Sequence, residues 1–160
     1  MVEEADRETA ADMNLFLQRY AIEQAKKGVS RTYILRDDNT TDSGRVIGYY
    51  ATSVGHLIPN DIPKVVSSRM TIPVFLLLRL AIDKDFQGKG YGAKLFIHVL
   101  HRLVRLAEET GIYALVLDPL NDHVRSFYEK FGLRPLPGDA TRMYIRMRDV
   151  EAWISQNSQK

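Results

Sequence analysis

The run Gln87-Gly88-Lys89-Gly90-Tyr91-Gly92 combines residue types and spacing that could do chemistry. An apolar stretch ends at Ile82 just before it, and an amphipathic run begins just after it. Glycines at alternate positions let the backbone pass close to a ligand, because no Cβ blocks the approach. A helix that starts here turns its unpaired N–H groups and the positive end of its dipole onto that ligand. Such a site suits a phosphate or pyrophosphate, and so a nucleotide-containing cofactor.

Other glycine-rich turns fit less well. The dinucleotide fingerprint G-x-G-x-x-G differs in spacing, and a phosphate loop of the form G-x-x-x-x-G-K-[ST] is absent, since Lys94 does not follow a glycine. A tight turn without a ligand is the competing reading. A second segment bears on the choice: Asn121-Asp122-His123-Val124-Arg125-Ser126-Phe127-Tyr128-Glu129-Lys130-Phe131-Gly132-Leu133. Asn121 has the character of an N-cap. Val124, Phe127, Tyr128 and Phe131 recur at helical spacing, and Gly132 stops the helix. Taken alone, this is a short helix with a buried aromatic face, and Tyr128 could be a packing residue.

Together the two segments resemble the GNAT N-acetyltransferases. Q-x-x-G-x-G, here Gln87 to Gly92, resembles their acyl-CoA pyrophosphate loop, and N-x-x-x-x-x-x-Y-x-x-x-G, here Asn121 to Gly132, their closing segment. The resemblance implies an α/β GNAT fold: a central mixed, mostly antiparallel twisted sheet flanked by helices, with splayed central strands holding acetyl-CoA. It places Leu80, Ala81, Ile82, Gln87, Gly88, Lys89, Gly90, Tyr91, Gly92, Asn121 and Phe127 on the cofactor. It puts Asn121 on the pantetheine arm or an ordered water, and the Tyr128 hydroxyl near the thioester sulfur. Leu133 stands where the family usually has Phe.

Acetyl transfer to an amine needs a neutral amine, a polarised carbonyl and a proton for the departing thiolate. A backbone N–H near Leu80 to Ile82 can polarise the carbonyl. A phenol of ordinary pKa, about 10, is protonated at neutral pH and can act as general acid. Tyr128 is the expected catalytic residue. The chain has no Cys and no plausible Ser/His/Asp set, consistent with direct transfer.

The resemblance narrows to one branch. Gly28-Val29-Ser30-Arg31-Thr32-Tyr33 and Leu78-Arg79-Leu80-Ala81-Ile82-Asp83 are similar to segments of bacterial type II toxins that acetylate aminoacyl-tRNA. The branch implies acetyl-CoA as donor and the α-amine of a tRNA-esterified amino acid as acceptor, blocked so that translation stops. That amine is less basic than a lysine, so little general-base help is required, and the motifs contain no obvious Glu or His base. It further implies a cognate ribbon-helix-helix antitoxin, DNA contact only through that antitoxin, and a homodimer. Two alternatives stand beside it: a GNAT enzyme acting on a small amine or a protein N-terminus, and a non-catalytic acyl-CoA-binding regulatory module. The first dozen residues depart from the family's usual start, in which a Cys-Gly pair often precedes the first helix.

Charge permits a polyanionic partner such as RNA. The net charge is +2, but the first 12 residues carry five acidic groups and one basic, leaving +6 on the remainder. Lys26, Lys27, Arg31, Arg79, Lys89 and Arg142 are the candidates for tRNA contact, an extension of the general rule that basic excess attracts nucleic acid. Solvated lysines and arginines are the default alternative. Hydrophobic content of 45% and charged content of 26% describe a soluble globular chain. The longest apolar run, Pro73 to Leu78, is too short to span a membrane, and the acidic start is unlike a signal peptide. A cytoplasmic protein is expected. With no Cys and with four His (His56, His98, His101 and His123) at no ligand spacing, no metal site is expected.

At 160 residues the chain is expected to form one domain, with residues 1–12 loosely ordered. Pattern and punctuation predict the elements that position the motifs. They are a helix over Asp12–Lys27, a strand Arg31–Arg36, a polar turn over 37–44 and its hairpin partner Arg45–Ser53. A short helix over Asn60–Met70 leads to the central strand within Thr71–Ile82. The cofactor helix Gly92–Thr110 and a buried strand Ile112–Leu117 follow. Thr141–Arg148 alternates as a strand, with Met143, Ile145 and Met147 on one side and Arg142, Tyr144 and Arg146 on the other. A helical turn around Trp153 then frays.

Overall fold

A computed structural model describes residues 2–38, 44–62 and 70–158. Helix α1 (Val2–Leu15) passes through a π-helical turn, Phe16–Tyr20, into α2 (Ala21–Lys26). Strands β1 (Arg31–Asp37), β2 (Arg45–Leu57) and β3 (Ile72–Ile82) follow. Then come α3 (Tyr91–Glu109), β4 (Ala114–Leu117), α4 (Asp122–Glu129), β5 (Arg134–Leu136), β6 (Asp139–Arg146) and α5 (Met147–Asn157). The six strands form one mixed sheet in the order β1-β2-β3-β4-β6-β5. β1 and β2 pair antiparallel, β3 and β4 parallel from Val74↔Ala114 to Leu77↔Leu117, and β6 antiparallel with both β4 and β5. The mixed, mostly antiparallel sheet with flanking helices is the expected class.

Several boundaries differ from those predicted. The first helix starts at Val2, ten positions before Asp12, so residues 2–12 are helical. Their alanines and glutamates are good helix formers. The Asp12–Lys27 helix is also not uniform. At Phe16–Tyr20 the ladder slips by one residue, and the Ala21 N–H reaches the Phe16 carbonyl. The Tyr49 phenol meanwhile donates to the Met13 carbonyl at 2.8 Å, which competes for the acceptor of an ordinary helical bond. β2 runs four residues beyond Ser53. Asn60 and Asp61 form a turn, with Asp61 accepting from the Ile58 N–H at 2.9 Å; most of the predicted 60–70 helix lies outside the described residues, as does most of the 37–44 turn. β5 went unpredicted, and α5 is a helix of 11 residues rather than one turn.

The chain divides into two compact units, residues 1–53 with 79–95, and residues 54–78 with 96–160. In the first, Phe16, Ala21, Tyr49 and Ala51 are buried together, with Met13, Leu17 and Ala81 against them. In the second, Leu57, Ile62, Ile72, Val74, Ala114, Val116, Leu136 and Tyr144 form one cluster. Tyr144 sits in that core, while Met143 and Ile145 are also buried. β6 is thus covered on both faces, and its predicted polar side is polar only at Arg142 and Arg146.

Thr32 lies opposite Ala51 in the β1–β2 ladder, and its hydroxyl is buried without a hydrogen-bond partner among the described residues. A buried unpaired hydroxyl destabilises the fold, and a valine of the same shape removes it. Thr32→Val is expected to raise unfolding stability by about 1 kcal/mol. A lower urea midpoint for the variant would show that the hydroxyl is satisfied in solution.

Candidate acetyl-CoA site and catalytic tyrosine

In the first unit, the last residues of β3 meet the glycine loop. Pairing of β3 with β4 stops at Leu77, so Leu80, Ala81 and Ile82 run beyond that ladder. Their backbone groups on that side have no β4 partner and suit an extended amide-bearing ligand. On the other side β2 lies flush against them. A Cβ at Gly48 would come within 2.6 Å of both the Ala81 carbonyl oxygen and the Ile82 Cδ1. Only glycine allows this approach. The Asp83 N–H donates to the Ile47 carbonyl at 2.8 Å and fixes the exit from the strand.

The loop itself is held by charge and by Gln87. Asp83 accepts the Asp85 N–H at 2.9 Å and opens a single 3-10 turn over Lys84–Phe86. Arg45 of β2 reaches Asp83 at 3.2 Å and Asp85 at 2.5 Å, and its guanidinium lies 5.1 Å from the Phe86 ring centre. The Asp85 N–H, and then Arg45, hold the Asp83 carboxyl below its ordinary pKa; hydrogen bonding to Asp85 raises that of Arg45. Arg45 therefore offsets one of the two carboxylate charges just ahead of the anion site. The Gln87 side-chain amide donates to the Ile82 carbonyl at 3.0 Å, which ties the loop to the strand end. The Lys89 ammonium donates to the Asp85 carbonyl at 2.9 Å.

Gly88 and Gly90 have φ of 71° and 82°, a region that side chains rarely adopt. A Cβ at either would meet nothing within 4 Å. The glycines are required by backbone conformation, and the space above them is open. α3 starts with the Lys94 N–H bonded to the Gly90 carbonyl at 3.1 Å. The amides of Tyr91, Gly92 and Ala93 come before that first bond and lack helical partners. No acidic residue stands in the first turn of α3. An open strand edge, a left-handed glycine pair and bare helix amides fit the pantetheine and pyrophosphate of acetyl-CoA.

In the second unit, Asn121 caps α4: its side chain accepts the Val124 N–H at 2.9 Å. The Asn121 amide N–H2 is not used in that bond. Asn121→Ala is expected to cost about 1 kcal/mol of stability through loss of the cap, read as a lower thermal midpoint. Asn121→Asp keeps the cap but loses the amide donors; reduced acetyl-CoA affinity with intact stability would assign those donors to the cofactor. Further along α4, Phe127 is half-buried, and Tyr128 is 6% exposed. The Tyr128 ring packs edge-on against Phe96 and Phe127, with centroids 5.0 Å away in each case. Burial pushes the Tyr128 pKa well above the ordinary tyrosine value, so the phenol is neutral and able to donate.

The basic candidates are mostly engaged internally. Lys27 pairs with Glu23 at 2.6 Å, and Arg31 donates to the Ala25 carbonyl at 3.0 Å, at the end of α2. Arg79 pairs with Asp12 of α1 at 2.6 Å and lies 4.6 Å from the centre of the Phe16 ring. Arg142 pairs with Asp118 at 2.8 Å. Lys26 is exposed on α2. Among the described residues, no group of three His, Cys, Asp or Glu could hold a metal. His98 is exposed; partial desolvation, then Arg102, Arg105 and His101, lower its pKa. Arg45, Gly48 and Asp12 were missed in the sequence. Arg45 and Asp83 are 38 residues apart, and Arg79 and Asp12 are 67, so no local pattern announces either pair.

The chain is similar to known proteins over most of its length. The chain is 33% identical over 141 residues to a tRNA-acetylating toxin of Mycobacterium tuberculosis (strain ATCC 25618 / H37Rv), covering 87% of this chain and 82% of that protein. Among solved structures, AtaT complexed with acetyl-methionyl-tRNAfMet superposes with a TM-score of 0.80 at 28% identity, over 89% of this chain and 85% of that one. A tyrosine-to-phenylalanine mutant of the AtaT toxin, bound to the C-terminus of the antitoxin AtaR and acetyl-CoA, gives 0.77 at 28% identity, over 91% and 86%. The acetyltransferase (GNAT) family matches residues 3–133. With its glycine loop, its open strand end and its buried tyrosine, this chain belongs to the GNAT acetyltransferase family.

Proposed function

We propose that this protein is a toxin that moves an acetyl group from acetyl-CoA to the α-amine of an aminoacyl-tRNA and so stops translation. The observation that carries the tRNA acceptor is the similarity, over most of the chain, to a tRNA-acetylating toxin. Acetyl-CoA supplies the acetyl group as a thioester. The amides that open α3 and the Gly88–Gly90 loop would hold its pyrophosphate. The free edge at Leu80–Ile82 would bind the pantetheine and polarise the carbonyl, as an oxyanion-type donor does. Asn121 and Phe127 would contact the pantetheine arm. Tyr128 would keep its proton until a thiolate needs it. We place the protein in the cytoplasm as a homodimer, silenced by a ribbon-helix-helix antitoxin through which the pair meets DNA.

The test is transfer from labelled acetyl-CoA to a pool of charged tRNAs, with free amino acids and peptides as competitors. Label on tRNA supports the reading. Efficient label on small amines, with no tRNA binding even at low salt, replaces it with a general GNAT enzyme.

Arg79 is the basic candidate next to the strand end, and Asp12 holds the place that an RNA phosphate would take. Arg79→Gln is expected to reduce the slope of log affinity for tRNA against log salt by roughly one unit. Asp12→Asn is expected to strengthen tRNA binding by up to about fivefold, the range of an exposed ion pair. Filter binding across a salt series reads both. An Asp12→Asn variant that binds tRNA more weakly would make the pair a positioning contact instead of a competitor.

A further inference from the structure

A cleft in the second unit opens at the C-terminal end of the Asn121–Gly132 segment, beyond Tyr128. Phe131, Gly132, Arg134, Ile145 and Arg146 form part of its wall, and one face of α5 forms the rest. Asp149, Ala152, Trp153 and Gln156 recur at helical spacing on that face. Three guanidiniums converge on the single Asp149 carboxylate: Arg146 at 2.8 Å, Arg134 at 3.7 Å and Arg148 at 3.8 Å. Only Arg146 is hydrogen-bonded to it. At the other two distances the attraction is coulombic, and the planar donors of Arg134 and Arg148 are not used on Asp149. Arg148 is 71% exposed and Arg134 51%. Beside them, Trp153 packs on Phe131, with ring centres 5.3 Å apart, and remains partly exposed.

We propose that this cleft, lined by residues assigned neither to catalysis nor to the cofactor, is a second RNA-docking site that takes an unpaired nucleotide and its flanking phosphates. The base stacks on Trp153, and the phosphates take the donors of Arg134 and Arg148. A three-to-one excess of positive charge attracts an anion of any kind. The flat aromatic wall beside planar guanidiniums favours a nucleotide over an acidic peptide, because a base brings both a π-face and a phosphate at fixed spacing. The inference rests on the tRNA reading for its source of RNA. Its test uses uncharged tRNA, so that failure of acetyl transfer and failure of the cleft are read separately.

The experiment measures binding of uncharged tRNA across a salt series for the full chain, the Arg134→Gln/Arg148→Gln double variant, Trp153→Ala and Trp153→Phe. The double variant should bind more weakly and lose roughly two units of salt slope, one per phosphate. Trp153→Ala should lose about tenfold in affinity with little change in slope, as expected for a lost stack. Trp153→Phe should restore most of it, which separates stacking from any damage to α5. Acetyl-CoA affinity should be unchanged throughout. An unaltered slope in the double variant overturns the proposal. So does displacement of RNA by oligoglutamate with equal potency from wild type and Trp153→Ala, which would mean the cleft reads charge alone.

Discussion

Tyr128→Phe is expected to lower acetyl-transfer turnover by about 10²-fold or more, the usual range for a general acid, while acetyl-CoA affinity stays nearly constant. The substitution removes one oxygen from a ring held edge-on by Phe96 and Phe127, so packing survives. Burial raises the pKa of this phenol. A raised tyrosine pKa favours the neutral form, so the donor is fully present below the ordinary value and persists as pH rises past it. The alkaline side of the rate profile should therefore show no loss from Tyr128 up to about pH 10. Tyr49, pushed up to about 12 by burial, follows the same sign: its contribution to stability is complete below the unfolded tyrosine pKa and is lost as pH rises through the folded one. Single-turnover transfer and calorimetric binding, measured together, check the prediction. A variant that retains its rate makes Tyr128 a packing residue and gives the proton to another donor or to water.

Gly90→Glu should weaken acetyl-CoA binding by well over tenfold, equivalent to about 1.4 kcal/mol. Two effects combine. The backbone at Gly90 has φ of 82°, and a side chain there costs on the order of 1–3 kcal/mol in strain. The carboxylate also brings negative charge to the helix end that must receive a pyrophosphate. Crowding within the protein is not a third effect, because a Cβ at this position meets nothing within 4 Å. Gly90→Ala carries the strain without the charge and should fall between wild type and Gly90→Glu. Equal affinity for all three by calorimetry would place the pyrophosphate elsewhere.

Local signals in the sequence were sufficient for the two motifs. Asn121 caps its helix as its type and position imply, and the cofactor helix starts within one residue of Gly92. These features depend on neighbours in the chain. What escaped depends on distant ones. The π-helical turn accompanies a hydrogen bond from Tyr49, 36 residues away. β5 is three residues long and exists through its pairing with β6, so no periodicity could reveal it. Strict alternation in β6 suggested one wet face, but burial on both sides is decided by what packs against the sheet. Likewise the sign of Arg79 and Arg142 was legible, whereas their engagement with Asp12 and Asp118 was not.

Those internal ion pairs change what binding a polyanion means for this protein. Were Lys27, Arg79 and Arg142 to meet RNA, each would share or give up a carboxylate, and Arg31 would share or give up a helix carbonyl. A phosphate taken in exchange for such a partner would add less affinity than one met by an uncommitted cation. An enzyme gains nothing from holding substrate and product equally tightly. Under the proposed function, a surface that reclaims its own cations would hasten departure of the acetylated tRNA, so that one molecule could modify many. Residence time, more than capture, would set how much translation a few copies can silence.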